Sequence, residues 1–409
     1  MTRPAASVAA WPVFLGFAFA YFLSALLRAV TATLAPAFSA ELGLGAADLG
    51  LLAGAYFFGF AALQLPLGRA LDRFGPRRVL LWLLLVAAFG CAAFALARSL
   101  AALIAARVLI GFGVGACLMA ALTCYRRRFS AALQLRANSW MLMTGSLGML
   151  ASTLPVQWLL PHLGWRGLFW ALAAALLLAM GAIRLLVPAD DAPAAAPASA
   201  SGGYREIVRH PLFLRLAPLG FVLDGGLIAV QSLWAGPWLT RVAGATPAQA
   251  AAGLFLINLC MLFAFMAWGA LMPRLAALGL DARALMAWGL PLSVAALAWI
   301  VVLGPGAGAG HWALWCVCCT FVSLSQPAVG QAFPAAQAGR ALSAFNLVIF
   351  SGVFCLQWGL GVAIDVLQAA GLPTPVAFQA AFGVFAAACA GAYAWFVWPR
   401  RQVLIIGSS

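Results

Sequence analysis

The sequence predicts an all-α membrane protein of twelve transmembrane helices, arranged as two six-helix pseudo-symmetric bundles. Three observations carry that prediction. The chain is 66% hydrophobic and only 8% charged over 409 residues, whereas soluble domains carry about 25% charged residues. Apolar runs of bilayer length, about 20 residues each, recur twelve times. Residues of the first six runs return in the last six at a near-constant offset.

The runs fall at Trp11–Phe38, Leu49–Leu71, Val79–Leu96, Leu100–Tyr125, Ala137–Leu160 and Trp165–Val187, here spans 1 to 6. They continue at Phe213–Leu239, Ala248–Met272, Ala284–Leu303, Trp312–Val329, Ala341–Leu367 and Val376–Trp398, spans 7 to 12. The first run exceeds the roughly 7–15 apolar residues of a signal-peptide core and reads as a retained span. Between the sets, Pro188–Gly203 reads PADDAPAAAPASASGG, a composition with no apolar face that suits a flexible linker. Tyr204 to Arg215 follows as a basic lead-in along the membrane surface. The organisation expected is an N-terminal bundle over residues 1–187, a linker over 188–212 and a C-terminal bundle over 213–409.

All 23 basic residues are Arg, and their distribution orients the chain, because basic loops stay cytoplasmic. With the N-terminus inside, eighteen arginines fall on the cytoplasmic side and only Arg98, Arg166 and Arg241 on the other; Arg28 and Arg107 lie within spans. Both termini and the linker are therefore expected in the cytoplasm, in a multi-pass protein of a bacterial inner membrane. The repeat has the same clarity. Pro36 and Gly68 recur 201 positions later as Pro237 and Gly269, Phe129 and Arg136 recur 204 later as Phe333 and Arg340, and Gln157-Trp158 recurs 200 later as Gln357-Trp358. Span 1 thus maps onto 7, 2 onto 8 and 5 onto 11, as in transporters built from parallel repeats.

Several classes are disfavoured. The net charge of +14 does not point to nucleic acid, because the arginines come singly between apolar runs and not as a patch. The nine cysteines lie almost entirely inside apolar runs and read as small buried hydrophobes; Cys316, Cys318 and Cys319 have no nearby His or carboxylate to make a metal site, and no cofactor is implied. H-E-x-x-H, G-x-S-x-G and paired intramembrane acids are absent, and His162, His210 and His311 fall near loops, so the chain does not read as an enzyme. No ring of like residues or filter loop suggests a channel.

Between spans 2 and 3 stands Gly68-Arg69-Ala70-Leu71-Asp72-Arg73-Phe74-Gly75-Pro76-Arg77-Arg78, which closely resembles G-x-x-x-D-R-x-G-x-R-R, the loop signature of the major facilitator superfamily. The physics of the loop is independent of that resemblance: Gly68 permits close helix approach, Asp72 sits at a helix C-terminus where the dipole disfavours it, and Arg73, Arg77 and Arg78 are its prospective partners. The resemblance implies a role in conformational switching for Gly68, Asp72, Arg73, Gly75, Arg77 and Arg78; the plain alternative is that the arginines only set topology. In the second half Pro273 stands where Asp72 would, so the latch is asymmetric. Arg107, Gly111, Gly113 and Gly115 in span 4 resemble the family's R-x-x-x-G-x-G pattern, which implies a coupling or structural role for Arg107. The glycine-proline signature of the drug antiporters is missing from span 5, which reads Asn138, Gly145, Ser146, Gly148, Pro155.

The strongest site residues are charges in apolar surroundings, each costing about 2.5–3.5 kcal/mol at mid-bilayer on the insertion scale. Arg28 lies deep in span 1 and Asp224 midway along span 7. The resemblance places these spans on opposite walls of one cavity. Arg28 offers a bidentate fork to a carboxylate or phosphate, and Asp224 is a carboxyl that can carry a proton; snorkelling of Arg28 or a structural pairing of Asp224 are the alternatives. Asn138, Gln231, Asn258, Asn346 and Gln357 occupy family cavity positions, with Tyr21, Trp140, Trp234 and Trp358 as aromatic walls, while Gln64 and Gln326 are assigned to the loops and Asp365 to solvent. The function expected is proton-coupled uptake of a small zwitterionic or anionic metabolite by a monomer in the bilayer. Efflux of small molecules by the same fold, or a non-transporting receptor or scaffold, are the competing readings.

Overall fold

The computed structural model describes residues 10–189 and 204–398. The linker Pro188–Gly203, its first two residues apart, and the terminal Arg3, Arg400 and Arg401 lie outside the described residues. Within them the chain is helical, with no strand.

Span 1 is the helix Ala10–Leu42, span 2 Ala46–Phe74 and span 3 Pro76–Leu96. Span 4 is Leu100–Arg128, in two pieces that meet at Gly115 and Ala116. Spans 5 and 6 are residues 131–163 and 165–186; Ser152 and Thr153 interrupt the first, and the two join through Gly164 alone. That glycine has φ +62°, a left-handed conformation that side chains resist, so the chain reverses there with no loop. The C-terminal set is Pro211–Arg241, Pro247–Ala277, Ala282–Leu303, Ala309–Gln331, Ala335–Ala369 and Thr374–Val397, spans 7 to 12. Most helices outrun the apolar runs that signal them, because helical hydrogen bonding continues until a backbone feature stops it. Span 2, for example, ends where Gly75 takes φ +83° and its N–H donates to the Leu71 carbonyl at 3.1 Å. Tyr204–Arg209 is a short helix that buries Ile207 and packs on span 11.

The buried apolar side chains gather into two clusters, one from spans 1 to 6 and one mainly from spans 7 to 12. The halves meet along spans 1 and 7, 2 and 11, and 5 and 8. Spans 2 and 11 touch at backbone distance: a Cβ on Gly50 would lie 2.2 Å from the Gln357 carbonyl oxygen, and one on Gly361 would lie 2.4 Å from that of Ala46. Glycine is needed at both. This close crossing belongs to the end of the molecule opposite the arginine-rich loops, where a further device corrects the sequence reading. Asp365 is not a solvated helix end: its carboxylate accepts from the N–H groups of Ala46 at 3.0 Å and Ala47 at 2.8 Å. An acidic side chain from one half thus caps the N-terminus of span 2 in the other, where free N–H groups and the dipole both favour an anion. Arg241 adds a bond to Ser39 at 3.1 Å across the same seam.

The arginine-rich end is looser. Gly68 and its repeat counterpart Gly269 face open space, with nothing within 4 Å of an added Cβ, so the close approach expected at Gly68 does not occur. The partner of Asp72 is also different from the expected ones. Arg127, at the end of span 4, donates to Asp72 and to the Leu71 carbonyl, each at 3.3 Å, because the helix end of span 4 reaches the carboxylate. Arg73 stacks over Phe74, and Arg77 donates to the Arg184 carbonyl at the end of span 6 at 2.7 Å. The loop therefore ties spans 2, 4 and 6 of one half together.

Candidate functional site

A cavity of about 840 Å³ lies between the halves. It runs from Arg28 and Asp224 at mid-span to Ser139, Met272 and Gln326 near the arginine-rich end, and it includes no residue of the sealed opposite end. The molecule is therefore closed on one side and open on the other.

Arg28 and Asp224 both line this cavity. Arg28 is half-buried, its guanidinium lies 5.7 Å from the Phe60 ring centre, Tyr21 and Tyr56 stand beside it, and its Nε has no hydrogen-bond partner. Asp224 is 7% exposed and its Oδ2 lacks a partner; no ion pair joins it to Arg28. A buried carboxylate with nothing to compensate it is costly, and the local backbone is unusual as well. Asp224 ends a π-helical turn, Gly220–Asp224, and a second such turn, Val230–Trp234, follows one α-helical turn later. Wide turns of this kind concentrate at functional sites.

Gln231 and Asn258 also line the cavity and are joined, Gln231 Nε2 donating to Asn258 Oδ1 at 2.8 Å. Asn258 in turn donates to the Leu254 carbonyl at 2.8 Å, which fixes the pair's orientation. Other predicted residues lie elsewhere. Gln357 is fully buried in the seam, where its Nε2 donates to Ser232 at 2.9 Å and its Oε1 has no partner. Asn138 and Asn346 do not line the cavity, although the neighbours of Asn138 on span 5, Ser139 and Trp140, do. Tyr21 and Trp140 are wall residues, whereas Trp234 is packed in the seam and Trp358 is on the outer surface. Gln326, assigned to a loop from the sequence, is on the wall.

Arg107 is completely buried within span 4. It donates to the Leu27 carbonyl at 3.0 Å and to Thr31 Oγ1, and lies 5.3 Å from the Tyr56 ring centre. Both acceptors flank Arg28 on span 1, so Arg107 holds the backbone on which Arg28 is mounted. The glycines after it bring span 4 into backbone contact with its neighbours: a Cβ on Gly111 would sit 1.9 Å from the Tyr56 oxygen. Sequence reading missed Trp268, Ser323 and the methionines of the wall, and it missed Arg127 despite the conspicuous triplet Arg126-Arg127-Arg128.

The fold and this central cavity agree with comparisons to known proteins. The family model described as Major Facilitator Superfamily matches residues 17–357. The chain belongs to the major facilitator superfamily. Solved structures of superfamily members cover nearly all of it: the POT family transporter PepTSo, with TM-score 0.75, 17% identity and 96% of this chain against 97% of that one; the D-xylose-proton symporter, with 0.74, 14%, 96% and 98%; and a bacterial homolog of the human lysosomal transporter Spinster in an inward-facing, occupied conformation, with 0.74, 16%, 96% and 97%. Identities this low speak to the fold alone. Two curated relatives match over shorter stretches, a putative metabolite transport protein of Haemophilus influenzae at 28% identity over 39% of each chain, and a probable sulfoacetate transporter of Cupriavidus necator at 33% over 23% of this chain and 22% of that one. The chain thus matches well under two thirds of the length of these relatives. This superfamily member is a multi-pass membrane protein.

Proposed function

We propose that the protein is a proton-coupled symporter importing a zwitterionic or anionic metabolite, such as an amino acid, small peptide or organic acid, across a bacterial inner membrane. The observation that carries this reading is the placement of Arg28 and Asp224 on the wall of one cavity with no bond between them. Arg28 is left for an anionic group of the solute, Asp224 for a proton, and the Gln231–Asn258 pair for a hydrogen-bonding group beside them. By the arginine bias the open end is the cytoplasmic one, with both termini on that side. The sealed end, held by Asp365, then faces outward, and exchange of the two closures gives alternating access by a monomer. Asp72, with Gly68, Arg73, Gly75, Arg77 and Arg78 around it, forms the inner latch, and Arg107 positions Arg28.

Uptake into proteoliposomes with an acidic exterior tests the reading. The wild type accumulates at least one of a panel of amino acids, dipeptides and organic acids. Asp224→Asn loses acceleration by the proton gradient but keeps solute exchange, and Arg28→Ala loses both. A gradient dependence that survives in Asp224→Asn removes that residue from coupling, and no flux above empty vesicles across the panel removes the importer reading.

A further inference from the structure

The cavity's chemistry is divided between its walls. Its two charges stand on spans 1 and 7, whereas spans 5 and 8 present five methionines: Met143, Met149, Met261, Met266 and Met272. The whole chain has ten methionines, so half of them are gathered around one cavity. Trp140 and Trp268 complete the apolar side. Unbranched thioether side chains re-pack around apolar bodies of different outline, and indole rings offer flat contact area. A small hydrophilic acid leaves most of such a wall unused, since its polar groups need hydrogen-bond partners and a thioether is only a weak acceptor.

Met143 and Met266 line the cavity and are 45% and 56% exposed, so their thioethers are accessible to a body bound there. They stand on spans 5 and 8, the pair that closes this flank of the molecule.

We infer that the solute is an amphipathic monoanion: a carboxylate or a similar acidic head held by Arg28, with an apolar or aromatic body lying along the methionine wall. This rests on the reading of Arg28 as the anion-binding group and narrows it, since it excludes small hydrophilic acids as good ligands. The head meets Arg28 with Tyr21 beside it, and a hydroxyl or amide on the body meets the Gln231–Asn258 pair.

Calorimetric titration of the full chain in lipid nanodiscs, with empty nanodiscs subtracted, tests this with three probes: 4-phenylbutyrate, glycolate and 4-phenylbutanol. The wild type is expected to bind 4-phenylbutyrate at least about tenfold more tightly than either of the others, one lacking the body and one the charge. Met149→Gln and Met266→Gln weaken 4-phenylbutyrate and leave glycolate unchanged. If glycolate binds within about twofold of 4-phenylbutyrate and Arg28→Ala abolishes both, the amphipathic class is wrong while the anion site stands. Equal binding of 4-phenylbutanol and 4-phenylbutyrate overturns the inference from the other side. If Arg28→Ala and Arg28→Lys bind both anions as the wild type does, the anion site itself is wrong, and the inference falls with it.

Discussion

At the scale of single residues, the molecule separates charges proposed to meet a solute from charges that hold a backbone. Arg107 is of the second kind. Its guanidinium fork reaches two acceptors at once on either side of Arg28, which a lysine ammonium on its flexible stem cannot reproduce. Arg107→Lys is therefore expected to weaken anion binding several-fold through Arg28 while the protein still folds; calorimetry alongside a thermal melt checks both halves of that statement. Two glycines make a sharper contrast. Gly111→Ala drives a methyl into the Tyr56 carbonyl and should lower stability by about 2 kcal/mol or more, as overpacking of a tight contact does. Gly68→Ala meets nothing and should leave the melting temperature of this conformation unchanged or slightly raised, since alanine favours the helix by roughly 1 kcal/mol over glycine. Melting curves of the two purified variants decide it.

At the scale of elements, the seam between spans 2 and 11 decides which end is closed. Hydrogen bonds from two backbone N–H groups to the Asp365 carboxylate are of the charge-assisted kind, stronger than neutral ones, and they are the polar fastening of span 2 to the other half at this end. Asp365→Ala removes them and leaves the first turn of span 2 unsatisfied, so the sealed end should open more often. The measurement is alkylation of a cysteine introduced at Ser39 in a variant lacking other reactive thiols: a faster reaction with Asp365→Ala is expected, and an unchanged rate would mean that packing alone holds the seam. By contrast the Asp72–Arg127 pair is exposed, at 59% and 38%, and contributes on the order of 0–1 kcal/mol to stability.

Elements also mark where sequence reading succeeds and stops. The twelve crossings are legible because a bilayer admits only long apolar helices, and Arg28 and Asp224 are legible because a charge within such a run is conspicuous. The methionine wall is not, since a helix that is apolar all round gives no sign of which face meets lipid, partner or cavity. For the same reason polarity alone misplaces Gln357, which serves a helix contact, and Asp365, whose acceptors lie 318 and 319 residues away in sequence. The helix N-terminus it caps is invisible until the halves are assembled.

At the scale of the whole molecule, two helical clusters meet along a seam tight at one end and parted at the other. The orientation proposed for it makes a simple prediction. A green fluorescent protein fused after Ser409 should fluoresce in intact cells, and alkaline phosphatase fused at the same place should be inactive, because only the first matures in the cytoplasm and only the second outside it. The opposite pair of results would invert the sidedness and with it the direction of import.

Span 7 has one more property at this scale. Among the described residues, π turns occur only there, at Gly220–Asp224 and Val230–Trp234. Each is a place where the hydrogen-bond ladder holds surplus chain, and a surplus can travel. Moving such a turn along by one residue turns the residue it passes by about 100°. Asp224 and Gln231 lie within these two turns, so span 7 can re-aim either side chain with its ends stationary, a rotation gear inside a helix that the packing against span 11 would otherwise hold rigid.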